Sequence, residues 1–401
     1  MPRTPAAARA DRLPRRLTVT FGLVVIVAFG SWFYGYGVLV SPIATNTGWS
    51  ESTLSTAYGL GLLASGFVAV VAGRAIDTAG PRLVFLVAAV AAGVGTAVTA
   101  TATDPVVFVI GAIATQCVVG AAGYYTAVHA SIARLAPADR TRAITVNTLW
   151  GAFASPVFLP LMGLMAQHWG WRAAIAVVGG AVVAVFLGAA AVVPTTPTAD
   201  DGGPRLGLLR GLATAVREPL VRRLLVVAVC GGIVTSVLFL YQVPAMVTAG
   251  LTLGVASSLA GLRGLFQLAG RLPLPWLVSR VGSEPLFRGS LLLIGLSSLL
   301  LLVSGQLAVA IVFVVLAGIA VGMFSTLESI FTADVVDVRT IGLVLGAYSM
   351  SRGIGAAIGP IGAGVLTDAT SGRALALAIA AVIGALGALA IPRRPTAVEQ
   401  A

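Results

Sequence analysis

The stretch Thr195–Pro204 reads Thr-Thr-Pro-Thr-Ala-Asp-Asp-Gly-Gly-Pro and stands at the middle of a chain of 401 residues. Proline, glycine, threonine and paired aspartates are linker residues, because they neither continue a helix nor bury well. They belong to the one long polar break, residues 194–221. Outward from it, each side holds six apolar runs, each long enough to cross about 30 Å of hydrocarbon as a helix of roughly 20 residues. The runs lie near 17–41, 52–74, 82–101, 105–130, 143–167 and 172–193, then 222–248, 253–276, 286–304, 306–330, 341–366 and 373–391. The reading predicts an all-α integral membrane protein of twelve transmembrane helices in two pseudo-symmetric six-helix bundles. The expected divisions are a cytoplasmic leader (1–16), an N-terminal bundle (17–193), a cytoplasmic central loop (194–221), a C-terminal bundle (222–391) and a cytoplasmic tail (392–401).

Composition points the same way and excludes much else. Hydrophobic residues make up 58% and charged ones 10%, against about 25% charged in an ordinary soluble domain. There is no lysine, so all 25 basic residues are arginine. That removes a phosphate-holding P-loop lysine, a Schiff base and a lysine general base. Two histidines and two cysteines leave no clustered metal site. Cys117 and Cys230 lie in apolar runs, where a free cysteine acts as a small hydrophobe. No nucleophile–base pair, nucleotide loop or paired carboxylate is found, so neither an enzyme nor a cofactor is expected.

The net charge of +11 invites a nucleic-acid reading, but the arginines follow topology instead. With the N-terminus inside, 20 fall on the cytoplasmic side and only Arg172 and Arg373 outside. This is the positive-inside pattern. Both termini are then cytoplasmic, and the first run, too long for a signal-peptide core, stays as helix 1. Arg263, Arg271 and Arg352 remain, inside apolar runs that hold a single acid, Glu328.

Equal halves suggest a repeat. The loop after helix 2 reads GRAIDTAGPR (Gly73–Arg82) and the loop after helix 8 reads PWLVSRVG (Pro275–Gly282); aligning Asp77 with Ser279 also aligns Gly80 with Gly282. The first of these loops, with Gly73, Asp77, Gly80 and Arg82, resembles the helix 2–3 signature of the major facilitator superfamily. The resemblance runs over essentially the whole chain. It implies the major facilitator fold, a secondary transporter working by alternating access, and an Asp77 that ties helix ends together beside Arg74, Arg82 or Arg142. More narrowly, the chain is similar to the monocarboxylate-transporter-like and oxalate/formate-type bacterial branch. The shared pieces are GWSES (Gly48–Ser52), GWR (Gly170–Arg172), Gly120–Tyr125 in helix 4 and Gly270-Arg271 in helix 8. That likeness implies a substrate carboxylate on Arg271, with Gln267 where the branch carries a proton-coupling aspartate.

The residues themselves supply candidates. Arg263, Gln267 and Arg271 are spaced i, i+4, i+8, a stripe ~80° wide and ~12 Å long on one helix face. Guanidinium grips a carboxylate through two parallel hydrogen bonds, and an intramembrane arginine needs a partner or a watery cavity. Arg271 has the alternative of snorkelling at its helix end. Arg352 is a further binding candidate, with a structural pair to Glu328 as the alternative. On helix 4, Gln116 and Tyr124 share a face with only Gly120 between them, which leaves room for a ligand; simple interface packing is the alternative. Glu328 and His129 are the proton-coupling candidates. Tyr34 and Tyr241 are candidate outer-gate residues.

The function expected is transport of a small organic anion, a monocarboxylate first, across the cytoplasmic membrane of a bacterium, with symport with a proton left open. The alternative is proton-driven efflux of drugs or secondary metabolites. The expected partners are a small anionic substrate and the lipid bilayer, with no nucleic acid, and the expected state is a monomer.

Overall fold

A computed structural model of the chain describes residues 13–195, 218–336 and 341–392. The leader up to residue 12, most of the central loop and the tail beyond residue 392 lie outside the described residues. All regular structure among those described is helical. It forms twelve rods: α1 (Arg15–Thr47), α2 (Glu51–Ala79), α3 (Pro81–Thr101), α4 (Pro105–Leu135), α5 (140–169), α6 (171–192), α7 (Pro219–Thr248), α8 (Leu253–Arg271 and Leu274–Val281), α9 (Ser283–Val303), α10 (Leu307–Val335), α11 (Ile341–Thr370) and α12 (Ala374–Ala390).

Local chemistry explains where the rods begin. Pro81, Pro105 and Pro219 occupy first-turn positions, where the missing N–H costs nothing. The Asp104 side chain accepts from the N–H groups of Val106 (2.8 Å) and Val107 (3.2 Å) and so caps α4. Gly170, with φ +80°, divides one long helical stretch into α5 and α6. Several rods are not regular inside. A π-helical stretch, Phe29–Tyr34, interrupts α1; α4 breaks at Tyr124, and α8 breaks after Arg271. Non-α segments of this kind recur at functional sites of membrane proteins. The predicted run 253–276 is thus replaced by a helix that breaks and resumes, and the run 306–330 is extended to Val335.

Three successive helices of each half repeat at a fixed spacing. The left-handed glycines Gly48 and Gly250 stand 202 positions apart, as do Gly80 and Gly282. The starts of α2, α3 and α4 (51, 81 and 105) and of α8, α9 and α10 (253, 283 and 307) keep the same offset of 202. Gly80 and Gly282 even share a backbone conformation, φ 85° with ψ 158° against φ 88° with ψ 162°. The alignment of Asp77 with Ser279 therefore holds in three dimensions.

The helices divide into two compact units, one of residues 1–43 with 60–201, the other of residues 44–59 with 202–401. In the first unit, α1 packs on α5, α2 on α4 and α3 on α6; Gly22 meets Trp150, Gly61 meets Gln116 and Gly179 meets Thr96. In the second, α7 packs on α11, α8 on α10 and α9 on α12; Gly232 meets Arg352, Gly322 meets Gln267 and Gly295 meets Gly384. Phe21, Phe85, Phe108 and Phe186 fill the first core, and Phe287, Phe313, Phe324 and Phe331 the second. Large apolar side chains such as Val70, Val90, Ile110 and Leu389 point outward, as lipid-facing positions do.

Arginines knit helix ends together. In the first unit Arg134 Nη1 donates to the Asp77 carbonyl at 2.5 Å, so the tie at the loop signature runs through Arg134 rather than through Arg74, Arg82 or Arg142. Arg172 Nη2 donates to the Ala102 carbonyl at 2.8 Å. In the second, Arg223 and Arg288 donate to Ala390 and Ile391, the last carbonyls of α12. Guanidinium is well suited to such helix C-termini. Residues 44–59 are held by their own set of contacts. Asp368 of α11 accepts from the Glu51 and Ser52 N–H groups at 3.0 and 2.9 Å, capping α2 from a distant part of the chain. Glu51 pairs with Arg373, which also donates to Thr248 Oγ1 at 2.5 Å.

Candidate functional site

In the second unit a charged group forms where α8, α10 and α11 meet. Two glycines decide how closely α8 and α10 approach: a Cβ at Gly318 or Gly322 would overlap the backbone carbonyl of Arg263 or Gln267. Small residues permit such backbone contact inside membranes. The stripe Arg263, Gln267, Arg271 is thereby laid against α10.

The three residues have different surroundings. Arg263 is fully buried; its Nε donates to Gln242 Oε1 of α7 at 2.8 Å, and its guanidinium lies 4.6 Å from the centre of the Phe239 ring. Gln267 is buried one turn further. Arg271 ends the first segment of α8 and donates from Nη2 to Ser325 Oγ of α10 at 3.0 Å. Three residues along, Glu328 Oε1 meets Arg352 Nη1 of α11 at 3.2 Å. The pair weighed as the alternative to a binding role for Arg352 is therefore formed. Arg271 also acts electrostatically on Glu328, and Tyr348, buried one turn before Arg352, interacts with both members of the pair.

One carboxylate thus serves two guanidinium groups. Four buried polar atoms of the cluster have no hydrogen-bond partner: Arg271 Nε, Arg352 Nε, Tyr348 Oη and Glu328 Oε2. An unmet buried polar atom costs about 1–3 kcal/mol.

In the first unit, aromatic rings of α1 and α4 gather in one group. Phe29 stacks on Tyr124 at 4.3 Å and lies 4.8 Å from Tyr125, while Phe33 contacts Tyr34 and Tyr124 at 4.9 and 5.8 Å. The π-helical part of α1 and the break in α4 bring these rings together. Gln116 Nε2 donates to Tyr124 Oη at 3.0 Å. The gap at Gly120 is filled: Ser65 and the Tyr124 ring stand where its Cβ would be. His129 stacks on Tyr125 at 5.0 Å. Tyr34 belongs to this aromatic group, whereas Tyr241 is fully buried in the second unit and hydrogen-bonds Ser55 at 2.9 Å.

Ser325, Tyr348 and Gln242 were not singled out as site residues by the sequence. The first two had a signal, since Ser325 stands three residues before Glu328 and Tyr348 four before Arg352, each one turn away on the same face. No group of three or more metal-ligating side chains occurs among the described residues.

Duplicated six-helix halves, outward-facing apolar side chains and polar clusters inside the bundle define a multi-pass membrane transporter rather than an enzyme. The family model of the Major Facilitator Superfamily matches residues 20–253 and 242–401, and the chain belongs to that superfamily. Solved structures agree on the fold. A point mutant of the nucleoside transporter NupG superposes with a TM-score of 0.81 at 15% identity, covering 94% of this chain and 98% of its own. A bacterial homologue of the human lysosomal transporter Spinster, inward-facing and unoccupied, gives 0.70 at 14% identity, with 97% and 95% covered. An auto-inhibited peptide transporter of the POT family gives 0.69 at 15% identity, with 94% and 96% covered.

Proposed function

We propose that this transporter moves a small organic anion, a monocarboxylate first, by alternating access across the cytoplasmic membrane of a bacterium, with both termini cytoplasmic. One observation carries the reading: Arg352 pairs with Glu328, and Arg271, bonded to Ser325 one turn away on α10, acts on the same acid electrostatically, which leaves the cluster with one positive charge in excess. A free carboxylate complements that excess, and guanidinium donors match its two oxygens. Arg271 and Arg352 bind the carboxylate in this reading, with Arg263 and Gln267 on the same face of α8 lining its approach. Within the first unit Gln116 and Tyr124 are polar candidates of their own, and Tyr34 in the first unit and Tyr241 in the second are candidate outer-gate residues.

The test is uptake of a labelled monocarboxylate by proteoliposomes. Arg271→Ala, correctly inserted, lowers uptake at least about tenfold, since a hydrogen bond to a charged group is worth roughly 1.5–3 kcal/mol. Unchanged uptake by that variant removes Arg271 from the site.

A second reading, efflux of amphipathic drugs or secondary metabolites, is favoured by the ring cluster Phe29, Phe33, Tyr124 and Tyr125, which suits planar or cationic ligands. Thermal shift against carboxylates and lipophilic cations separates the two, because a ligand of the folded state raises apparent stability. Stabilisation by carboxylates supports the first reading and by cations the second.

A further inference from the structure

The second segment of α8 carries a face that the charged group does not use. Leu272, Trp276 and Arg280 are spaced i, i+4, i+8, and the backbone at the break stays right-handed, with φ −61° at Leu272 and φ −80° at Pro273. The three therefore follow one stripe, and all are exposed. Leu272 is 76% exposed, more than any other large apolar side chain described, and Trp276 is 59% exposed. Leu274 is the only buried residue of the segment Leu274–Val281.

The order of the stripe follows depth in a bilayer. Gly282, with φ 88°, ends the segment and turns the chain into α9. At about 1.5 Å per residue, Arg280 lies about 3 Å from that turn, Trp276 about 9 Å and Leu272 about 15 Å. The headgroup layer outside the hydrocarbon is roughly 5–8 Å thick. A turn at the membrane surface thus sets Arg280 among headgroups, Trp276 at their inner boundary and Leu272 against acyl chains, the placement each side chain favours.

Arg280 also lacks a carboxylate. None of the ion pairs among the described residues includes it, and Glu284, one turn on, is paired with Arg288 at 3.1 Å. Its guanidinium lies 5.6 Å from the centre of the Trp276 ring, so the ring and the cation form one unit. The equivalent stripe of α2, Val70, Arg74 and Thr78, has its arginine a turn deeper and a threonine at the end. The depth order belongs to the second half.

We propose that Leu272, Trp276 and Arg280 seat one anionic phospholipid, with its phosphate on Arg280, its glycerol region against Trp276 and an acyl chain along Leu272. Guanidinium matches phosphate oxygens in pairs. A zwitterionic headgroup brings a positive charge of its own beside Arg280, and a net-negative one does not. The inference goes beyond the transport reading and holds whichever substrate is carried.

The test is quenching of tryptophan fluorescence by brominated lipid, with the purified full-length protein in phosphatidylcholine vesicles. An equal minor share of brominated phosphatidylglycerol or of brominated phosphatidylcholine is included. The chain has six tryptophans, so the Trp276 signal is the difference between wild type and Trp276→Phe. Phosphatidylglycerol is enriched about fivefold at Trp276, the factor that one arginine contributes near an anionic surface. Arg280→Gln brings the two lipids level, whereas Arg74→Gln, at the equivalent stripe of α2, keeps the enrichment. Inorganic phosphate in the buffer leaves it unchanged too; loss of the enrichment to inorganic phosphate would make a free anion the ligand and overturn the lipid. Equal quenching by the two lipids in the wild type, or full enrichment in Arg280→Gln, overturns the proposal. So does a Trp276 that neither lipid quenches, since something other than lipid then covers the face. Uptake of substrate is not the readout, and each of these failures leaves the carboxylate reading intact.

Discussion

Helices α2 and α4 touch in the first half much as α8 and α10 touch in the second, and the offset of 202 lets the two contacts be compared residue by residue. In the first half Gly61 of α2 meets Gln116 of α4. At the equivalent positions of the second half, α8 carries Arg263 and α10 carries Gly318, and these meet as well. The glycine and the large polar residue have exchanged helices across one conserved contact. One turn on, Ser65 against Gly120 corresponds to Gln267 against Gly322. Beyond that, Ala69 and Thr126 stand where Arg271 and Glu328 stand in the second half. At these positions the repeat has kept the contacts and changed the side chains: the second half carries Arg263, Arg271 and Glu328 where the first carries Gly61, Ala69 and Thr126.

The comparison breaks or holds on three substitutions. The largest effect is expected at the charged cluster, which has no equivalent in the first half. Arg352→Met leaves Glu328 as a buried carboxylate without its guanidinium, at a cost of roughly 3 kcal/mol, seen as a markedly lower apparent Tm. Adding Glu328→Leu recovers most of that loss; a double variant no more stable than the single one would show that the pair is not a self-contained unit.

The equivalent glycines come next. A Cβ at Gly322 overlaps three backbone atoms of Gln267, none of which can turn aside, whereas at Gly120 it meets the Ser65 Cβ less closely, together with the Ser65 hydroxyl and the Tyr124 ring, which can rotate away. Overpacking costs about 1–3 kcal/mol, so Gly322→Ala lies near the upper end and Gly120→Ala near the lower. Equal losses in thermal unfolding would mean that the two contacts are equally close.

The smallest effect separates the starts of α4 and α10. Asp104 caps α4 with its side chain, while Gln306 at the equivalent position makes no such bond. Asp104→Ala costs about 1 kcal/mol, and Gln306→Ala changes Tm little. A comparable loss at Gln306 would reveal a role other than capping.

Much of this architecture was legible because it depends on periodic and compositional signals. Runs of apolar residues fix the rods, and Gly80 and Gly282, each following a helical end read from sequence as a loop, fix the register between halves, since a left-handed backbone all but demands glycine. The pair Arg352–Glu328 was legible too, because a bilayer holding a single acid leaves its arginines few partners. The site was less so. Reading Gln116 and Tyr124 as lining a gap assumes a continuous helix, but α4 breaks at Tyr124, so that ring folds back over Gly120. The hydrogen bond from Arg263 to Gln242 joins α8 to α7, and helical spacing within α8 says nothing of it. Nor could any local pattern foretell that Asp368 caps a helix more than 300 positions earlier in the chain.

The common spacing of Gly48 and Gly250, Gly80 and Gly282, and Asp104 and Gln306 also describes the protein's past. Over three successive helices and the turns between them, the two copies have lost and gained no residue relative to one another, although few of their side chains still agree. Insertions have evidently been harder to tolerate there than the replacement of an alanine by an arginine. The turn at Gly80 and at Gly282, a single left-handed glycine with no slack to absorb an extra residue, is one physical reason why.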